Sequence, residues 1–218
     1  HGKQKGGQIT IISEAGNIDA SSGEFLANYS GGGDAGDITM EAPQGNITTN
    51  NIYSYADGDG GKINITAGNN INIKGGSNII SASEPPSEGN SDKQGKGGDI
   101  TLEAGNNINT TTAKIYSGAN EGDTGKIDII GENTIETGPI DLASGFERER
   151  KPVNENFTLI PTIKGKATNG EAGDITIRSK NSTIDTTGGT INSRSPDGTG
   201  DITLNAQGNI TTGALQAS

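Results

Sequence analysis

The sequence predicts an all-β protein: a single-stranded right-handed parallel β-helix of about seven coils, each built from three short strands. Three observations carry this prediction. First, a five-residue motif of glycine, a polar residue, isoleucine, a polar residue and an aliphatic residue begins at Gly7, Gly36, Gly61, Gly98, Gly125, Gly173 and Gly200. Second, apolar and polar residues alternate inside the motif, which is the period of a half-buried strand rather than of a helix. Third, glycine supplies 36 of the 218 residues, hydrophobic residues only 28% and aromatic residues 3%. That is too little apolar material for a two-layer globule with one thick core.

The elements of the repeat follow in order. The first strand of each copy carries Ile9, Ile38, Ile63, Ile100, Ile127, Ile175 and Ile202. Two residues later comes a second apolar column: Ile11, Met40, Ile65, Leu102, Ile129, Ile177 and Leu204. A second strand is centred on Ile18, Ile47, Ile71, Ile108, Ile135, Ile184 and Ile210. A looser third column reads Leu26, Ile52, Ile79, Ile115, Ile140, Ile191 and Leu215. Gly, Asn, Asp and Ser punctuate the strands, and positive-φ glycines are expected at the corners. Three strands in roughly 27 residues make one coil, and parallel coils stack about 4.8 Å apart. Right-handed winding is what parallel crossovers favour.

Two outward ladders accompany the core. The residue after the repeat glycine runs Gln8, Asp37, Lys62, Asp99, Lys126, Asp174, Asp201, so charge alternates from Asp37 to Asp174. Neighbouring opposite charges favour the correct stacking register. The position before the second isoleucine runs Asn17, Asn46, Asn70, Asn107, Thr134, Thr183, Asn209, a pattern in which stacked amides hydrogen-bond along the rod.

Successive motifs lie 29, 25, 37, 27, 48 and 27 residues apart. The two long intervals place insertions at about 82–97 and 144–172 within one repeat domain spanning 1–218. The first, with Pro85 and Pro86, reads as a mobile surface loop. The second holds Phe146 and Phe157 and the run Glu147-Arg148-Glu149-Arg150-Lys151. It reads as an extra hairpin around Phe157–Ile160, packed on the rod. Because loops on rigid scaffolds carry binding, Phe146, Arg148, Arg150 and Phe157 are the candidate ligand-contact residues.

Composition bounds the partners. With 16 Lys and Arg against 27 Asp and Glu, the net charge is -11, which argues against nucleic acid as a partner. Cysteine is absent, and no apolar run has the length that spans a bilayer, so no membrane insertion is expected. The chain starts and stops partway through repeats and has no capping helix at either terminus. It is therefore expected to be a piece of a longer protein, its partners being neighbouring coils of that protein or end-to-end copies.

The segment Gly97-Gly98-Asp99-Ile100-Thr101-Leu102-Glu103-Ala104-Gly105-Asn106-Asn107-Ile108 resembles the shaft repeats of filamentous-haemagglutinin-type secreted adhesins, and the resemblance covers nearly the whole chain outside the insertions. It implies a right-handed β-helix, export by two-partner secretion, residence outside the cell or at the outer membrane, and a role in adhesion or biofilm formation with host or matrix glycans or proteins as partners. The Asn-Pro-Asn-Gly signature of that family's secretion domain is not found in the sequence.

Three chemical readings compete with the shaft. Asp57-Gly58-Asp59-Gly60-Gly61, with Asp34, Asp123 and Asp197 in similar corners, resembles a calcium-binding glycine–aspartate turn. The tandem nine-residue copies needed for such a site are missing, so turn chemistry is preferred and no cofactor is expected. A pectate-lyase-like enzyme acting on polysaccharide would need clustered carboxylates with a basic residue. Asp174, Asp201, Arg178 and Arg194 are the candidates, and no enzymatic role is expected of them. An ice-binding face needs outward Thr-x-Thr rows, whereas the Thr pairs at 48–49, 186–187 and 211–212 are adjacent.

Overall fold

Isoleucine beside short polar residues is stiff at χ1 and favours extended backbone. In the computed structural model, every copy of the motif is a strand. The structure describes residues 4–28, 32–84, 95–144, 146–153, 156–163 and 170–217. The first sheet stacks Ile9–Ile12, Ile38–Ala42, Ile63–Ala67, Ile100–Ala104, Ile127–Gly131, Ile175–Ser179 and Ile202–Ala206 in that order. The second stacks Ile18–Ala20, Ile47–Thr49, Ile71–Ile73, Ile108–Thr110, Ile135–Thr137, Ile184–Thr186 and Ile210–Thr212. The third stacks Phe25–Leu26, Ile52–Ala56, Asn78–Ser83, Lys114–Ala119, Ile140–Ser144, Ile191–Arg194 and Leu215–Gln216. All three are parallel throughout. The result is a three-sided parallel β-helix of seven coils, numbered here from the N-terminal end.

Register follows the isoleucines. Ile38, Ile63, Ile100 and Ile127 are successive partners in the first sheet, and Ile47, Ile71, Ile108 and Ile135 in the second. These columns are fully or almost fully buried and form one continuous core. A slip by one residue would turn every isoleucine to the wrong face.

The third column differs from expectation at its first rung. Phe25, not Leu26, pairs with Ile52, and Leu26 pairs with Tyr53. Side chains alternate across a strand, so Phe25 packs against the core while Leu26 is 48% exposed.

The glycines divide between corner positions and stacking positions. Positive φ occurs, among the described residues, at Gly32, Gly76, Gly122 and Gly170, none of which opens a motif. Close stacking explains the motif glycines instead. A Cβ on Gly98 would lie 2.3 Å from the Gly61 carbonyl oxygen and 2.4 Å from Ser81 Oγ. Gly36, Gly61, Gly125, Gly173 and Gly200 face the same obstruction from the preceding coil.

A buried serine column ties these glycines together. Ser81 Oγ donates to the Gly61 carbonyl at 2.6 Å and accepts from the Gly98 N–H at 3.0 Å. Ser54, Ser117 and Ser193 repeat the bridge. In coil five the column holds Leu142, partner of Ser117 and Ser193. There Thr124 takes over, donating to the Gly125 carbonyl and accepting from the Gly173 N–H at 2.8 Å.

The insertions both leave from third-sheet strands. The strand Asn78–Ser83 runs into the first, so the sheet extends beyond the expected boundary at 82; residues 85–94, and with them the loop expected around Pro85 and Pro86, lie outside the described residues. Within the second, Phe146–Val153 and Asn156–Ile163 form an antiparallel two-stranded sheet.

Candidate functional site

The sequence-derived contact residues fall on that hairpin, which begins directly after the third-sheet strand Ile140–Ser144. Its register sets Phe146 opposite Ile163, Arg148 opposite Pro161, Arg150 opposite Leu159 and Phe157 opposite Pro152. Phe146, Arg148 and Arg150 therefore take alternate positions along one strand, while Phe157 belongs to the other strand at the far end.

The residues weighed for polysaccharide chemistry are not brought together on one sheet. Arg178 lies in the first sheet opposite Ile130 and Asn205, and Arg194 in the third opposite Ala143. Asp174 and Asp201 are adjacent rungs, and Asp174 Oδ1 accepts the Asp201 N–H at 3.0 Å.

That hydrogen bond exemplifies a rule of the outward carboxylates. Asp37 Oδ1 accepts the Lys62 N–H at 2.8 Å, and Asp99 Oδ1 accepts the Lys126 N–H at 3.0 Å. Each lysine in turn reaches the carboxylate of the following coil: Lys62 to Asp99 at 3.5 Å and Lys126 to Asp174 at 3.6 Å. Burial alone would raise the pKa of Asp37. The hydrogen bonds from Lys5 Nζ and the Lys62 N–H outweigh it and hold the carboxyl below its ordinary value.

The corner aspartates considered for calcium do the same work. Asp34 Oδ1 accepts the Asp59 N–H at 3.1 Å, and Asp59 Oδ1 accepts the Lys96 N–H at 2.9 Å. Asp123 pairs with Lys96 Nζ at 2.6 Å and accepts the Glu171 N–H. These two bonds, the lysine first, lower its pKa. Asp57 accepts the Gly32 N–H and Asp197 the Gly170 N–H. Charge-assisted bonds to backbone N–H groups are among the stronger hydrogen bonds. Among the described residues, no group of three or more His, Cys, Asp or Glu is placed to hold a metal ion.

The asparagine column works by the same geometry. Asn17 Oδ1 accepts both the Asn46 N–H and its side-chain amide, at 2.8 and 3.0 Å, and Asn46 Oδ1 does the same for Asn70. Asn70 then accepts the Asn107 N–H, and Asn107 the Thr134 N–H.

Sequence reasoning missed the outward face of the third sheet. Tyr53, Tyr55, Ile80, Ala82, Tyr116 and Ala143 form a second buried apolar cluster there. Tyr116 Oη donates to the Ala143 carbonyl at 2.9 Å, and burial first, then Asp141, pushes its pKa well above the ordinary value. Lys114 Nζ stands 5.5 Å from the Tyr116 ring centroid and 3.6 Å from Asp141 Oδ2, while Asn192 donates to Asp141 Oδ1 at 2.7 Å. The signal was available: the residue after the third-column isoleucine is Tyr53, Ile80 and Tyr116 in coils two to four, where a solvated face would carry a polar residue.

Comparison of the chain with protein-family models, with curated proteins and with solved structures returned no match.

Proposed function

We propose that this rod is a structural shaft segment of a secreted or cell-surface bacterial fibre, of the filamentous-haemagglutinin type, supporting adhesion or biofilm formation. One observation supports the reading above others. Each of Asp37, Asp99, Asp123 and Asp174 bonds a main-chain N–H of the neighbouring coil. Polar chemistry of that kind lengthens and stiffens a rod, whereas hydrolysis of a glycosidic bond calls for paired carboxyl groups about the scissile bond. The hairpin with Phe146, Arg148, Arg150 and Phe157 is the part of the shaft offered to host or matrix glycans or proteins.

The test is immunogold electron microscopy of the producing cells with antibodies against this chain. Gold on filaments or on the outer surface is expected. Gold confined to the cell interior would overturn the reading. Release of oligosaccharides when the purified chain is incubated with acidic polysaccharides would replace it with the enzymatic one.

A further inference from the structure

The outward face of the second sheet carries two columns of side chains, two residues apart on each strand and so on the same side. In coils one to three the first column is Asn17, Asn46 and Asn70. The second is Asp19, Thr48 and Asn72, successive partners in the register. Between the columns lies a groove of about 310 Å³. Its floor is the backbone at Ile18 and Ile47, whose side chains are buried in the core.

The two columns differ in the hydrogen-bonding capacity they leave open. Asn46 and Asn70 are tied into the rod, each donating its side-chain amide to the preceding asparagine at 3.0 and 2.8 Å. Among the described residues, the side chains of Thr48 and Asn72 make no hydrogen bond within the protein. Asp19 accepts the N–H of its neighbour Ser21 at 3.1 Å. Beyond the groove the second column closes on the protein. Asn109 donates to Glu136 at 3.1 Å and accepts the Thr111 N–H, and Asp185 accepts the Thr187 N–H at 2.8 Å. Open capacity and the groove therefore coincide in coils one to three.

We infer that this groove binds a neutral glycan, whose hydroxyls bond the side chains of Asp19, Thr48 and Asn72. A carboxylate accepts, while a hydroxyl and an amide both accept and donate, and sugar hydroxyls do both. Among the described residues that line the groove there is no lysine, arginine or aromatic ring. Phosphate, sulfate and uronic acids would lack the cation that holds such groups. They would also meet an anion, because the Ser21 hydroxyl and N–H hold the Asp19 carboxyl below its ordinary pKa. A glycan laid along the rod meets an equivalent pair of side chains at each coil, about 4.8 Å apart. The asparagine ladder fixes one wall before the ligand arrives, which lowers the ordering cost of binding. The groove adds a second glycan contact to that of the hairpin, and it rests on the fibre reading for its access to glycans outside the cell.

Titration of the isotope-labelled chain with cellohexaose, mannohexaose and chitohexaose, followed by amide NMR shifts, tests this. Shifts at Asn46, Thr48, Asn70 and Asn72 are expected with at least one of the three at concentrations up to about 10 mM. The anionic hexagalacturonate should leave them unmoved. The double variant T48V/N72A, altered only on the outward face, should bind about tenfold more weakly with an unchanged melting temperature. Asn109→Ala, one coil beyond the groove, should bind like the unmodified chain. Absence of shifts with all three neutral probes would overturn the inference. So would shifts confined to the hairpin, equal response to hexagalacturonate, or undiminished binding by T48V/N72A. A groove that fails these tests on a chain found on gold-labelled filaments would leave the fibre reading standing; glycan binding in the groove without surface label would do the reverse.

Discussion

Gly98 and Gly7 occupy the same place in the repeat, yet their surroundings differ by one coil. Gly98 stacks on Gly61, whereas a Cβ on Gly7 meets nothing within 4 Å. The Gly98→Ala variant is therefore expected to lose about 3 kcal/mol or more, because the obstructing atoms are backbone in a close-packed stack. Gly7→Ala should be neutral within about 0.5 kcal/mol, and chemical denaturation of the two variants measures the contrast. Equal effects would show that the motif glycine is needed for chain conformation rather than for stacking. The inward threonines give a second test at this scale. Thr110, Thr137 and Thr186 are fully buried, and their hydroxyls have no hydrogen-bond partner. A buried hydroxyl without a partner costs about 1–3 kcal/mol, so Thr137→Val should raise the melting temperature by about 2–4 °C. A fall would mean that the hydroxyl is engaged.

At the scale of a single ladder, Lys62 joins three coils. Its N–H is capped by Asp37 and its ammonium reaches Asp99. Lys62→Asp would place three carboxylates in succession. The side chain of Lys62 is 63% exposed, so solvent screens most of the interaction and the expected loss is about 0.5–1 kcal/mol. Thermal melts at low salt should show it, and at 1 M salt, where the Debye length is about 3 Å, it should largely vanish. A salt-independent loss would point to packing instead. The hydrogen-bond ladders share a further property: each rung includes a main-chain N–H donor, so it survives when its neighbour changes side chain. Thr134 donates its own N–H to Asn107 Oδ1, and the column still continues into coil five.

Across the whole molecule, stability is a sum over coils and their interfaces, and its pH dependence follows from the carboxylates that join them. Asp37 and Asp123 have pKa values held below the ordinary carboxylate value. A depressed folded-state value means that the unfolded chain binds protons more readily. The contribution is complete above about pH 4, the unfolded value, and disappears as the pH falls through the folded value. The rod is expected to hold its melting temperature from neutral pH down to about pH 5 and to lose it steeply below pH 4. Removing both groups as D37N/D123N should flatten that acid limb while lowering stability at neutral pH; an unchanged acid limb would assign the acid sensitivity to other groups.

The isoleucine period, the parallel register and the charged and asparagine ladders were legible in the sequence because each repeats at a fixed offset from the motif glycine. Equivalent residues of a solenoid stack upon one another, so periodicity in the chain is proximity in space. Other features depend on what lies against them, and only the tertiary structure decided these. Phe25 rather than Leu26 faces inward because the third strand of the first coil pairs with Ile52 through Phe25, a parity that a two-residue strand cannot declare by itself. The serine bridge and its replacement by Thr124 needed the distance between Gly125 and Gly173, which are 48 residues apart in the chain and adjacent rungs in the stack. The buried outward cluster of Tyr53, Tyr55 and Tyr116 likewise appeared only when burial was known on both faces of the third sheet. Local pattern sets which residues form strands and which columns they enter; contact between distant coils sets which glycines tolerate a methyl group and which polar atoms find a partner.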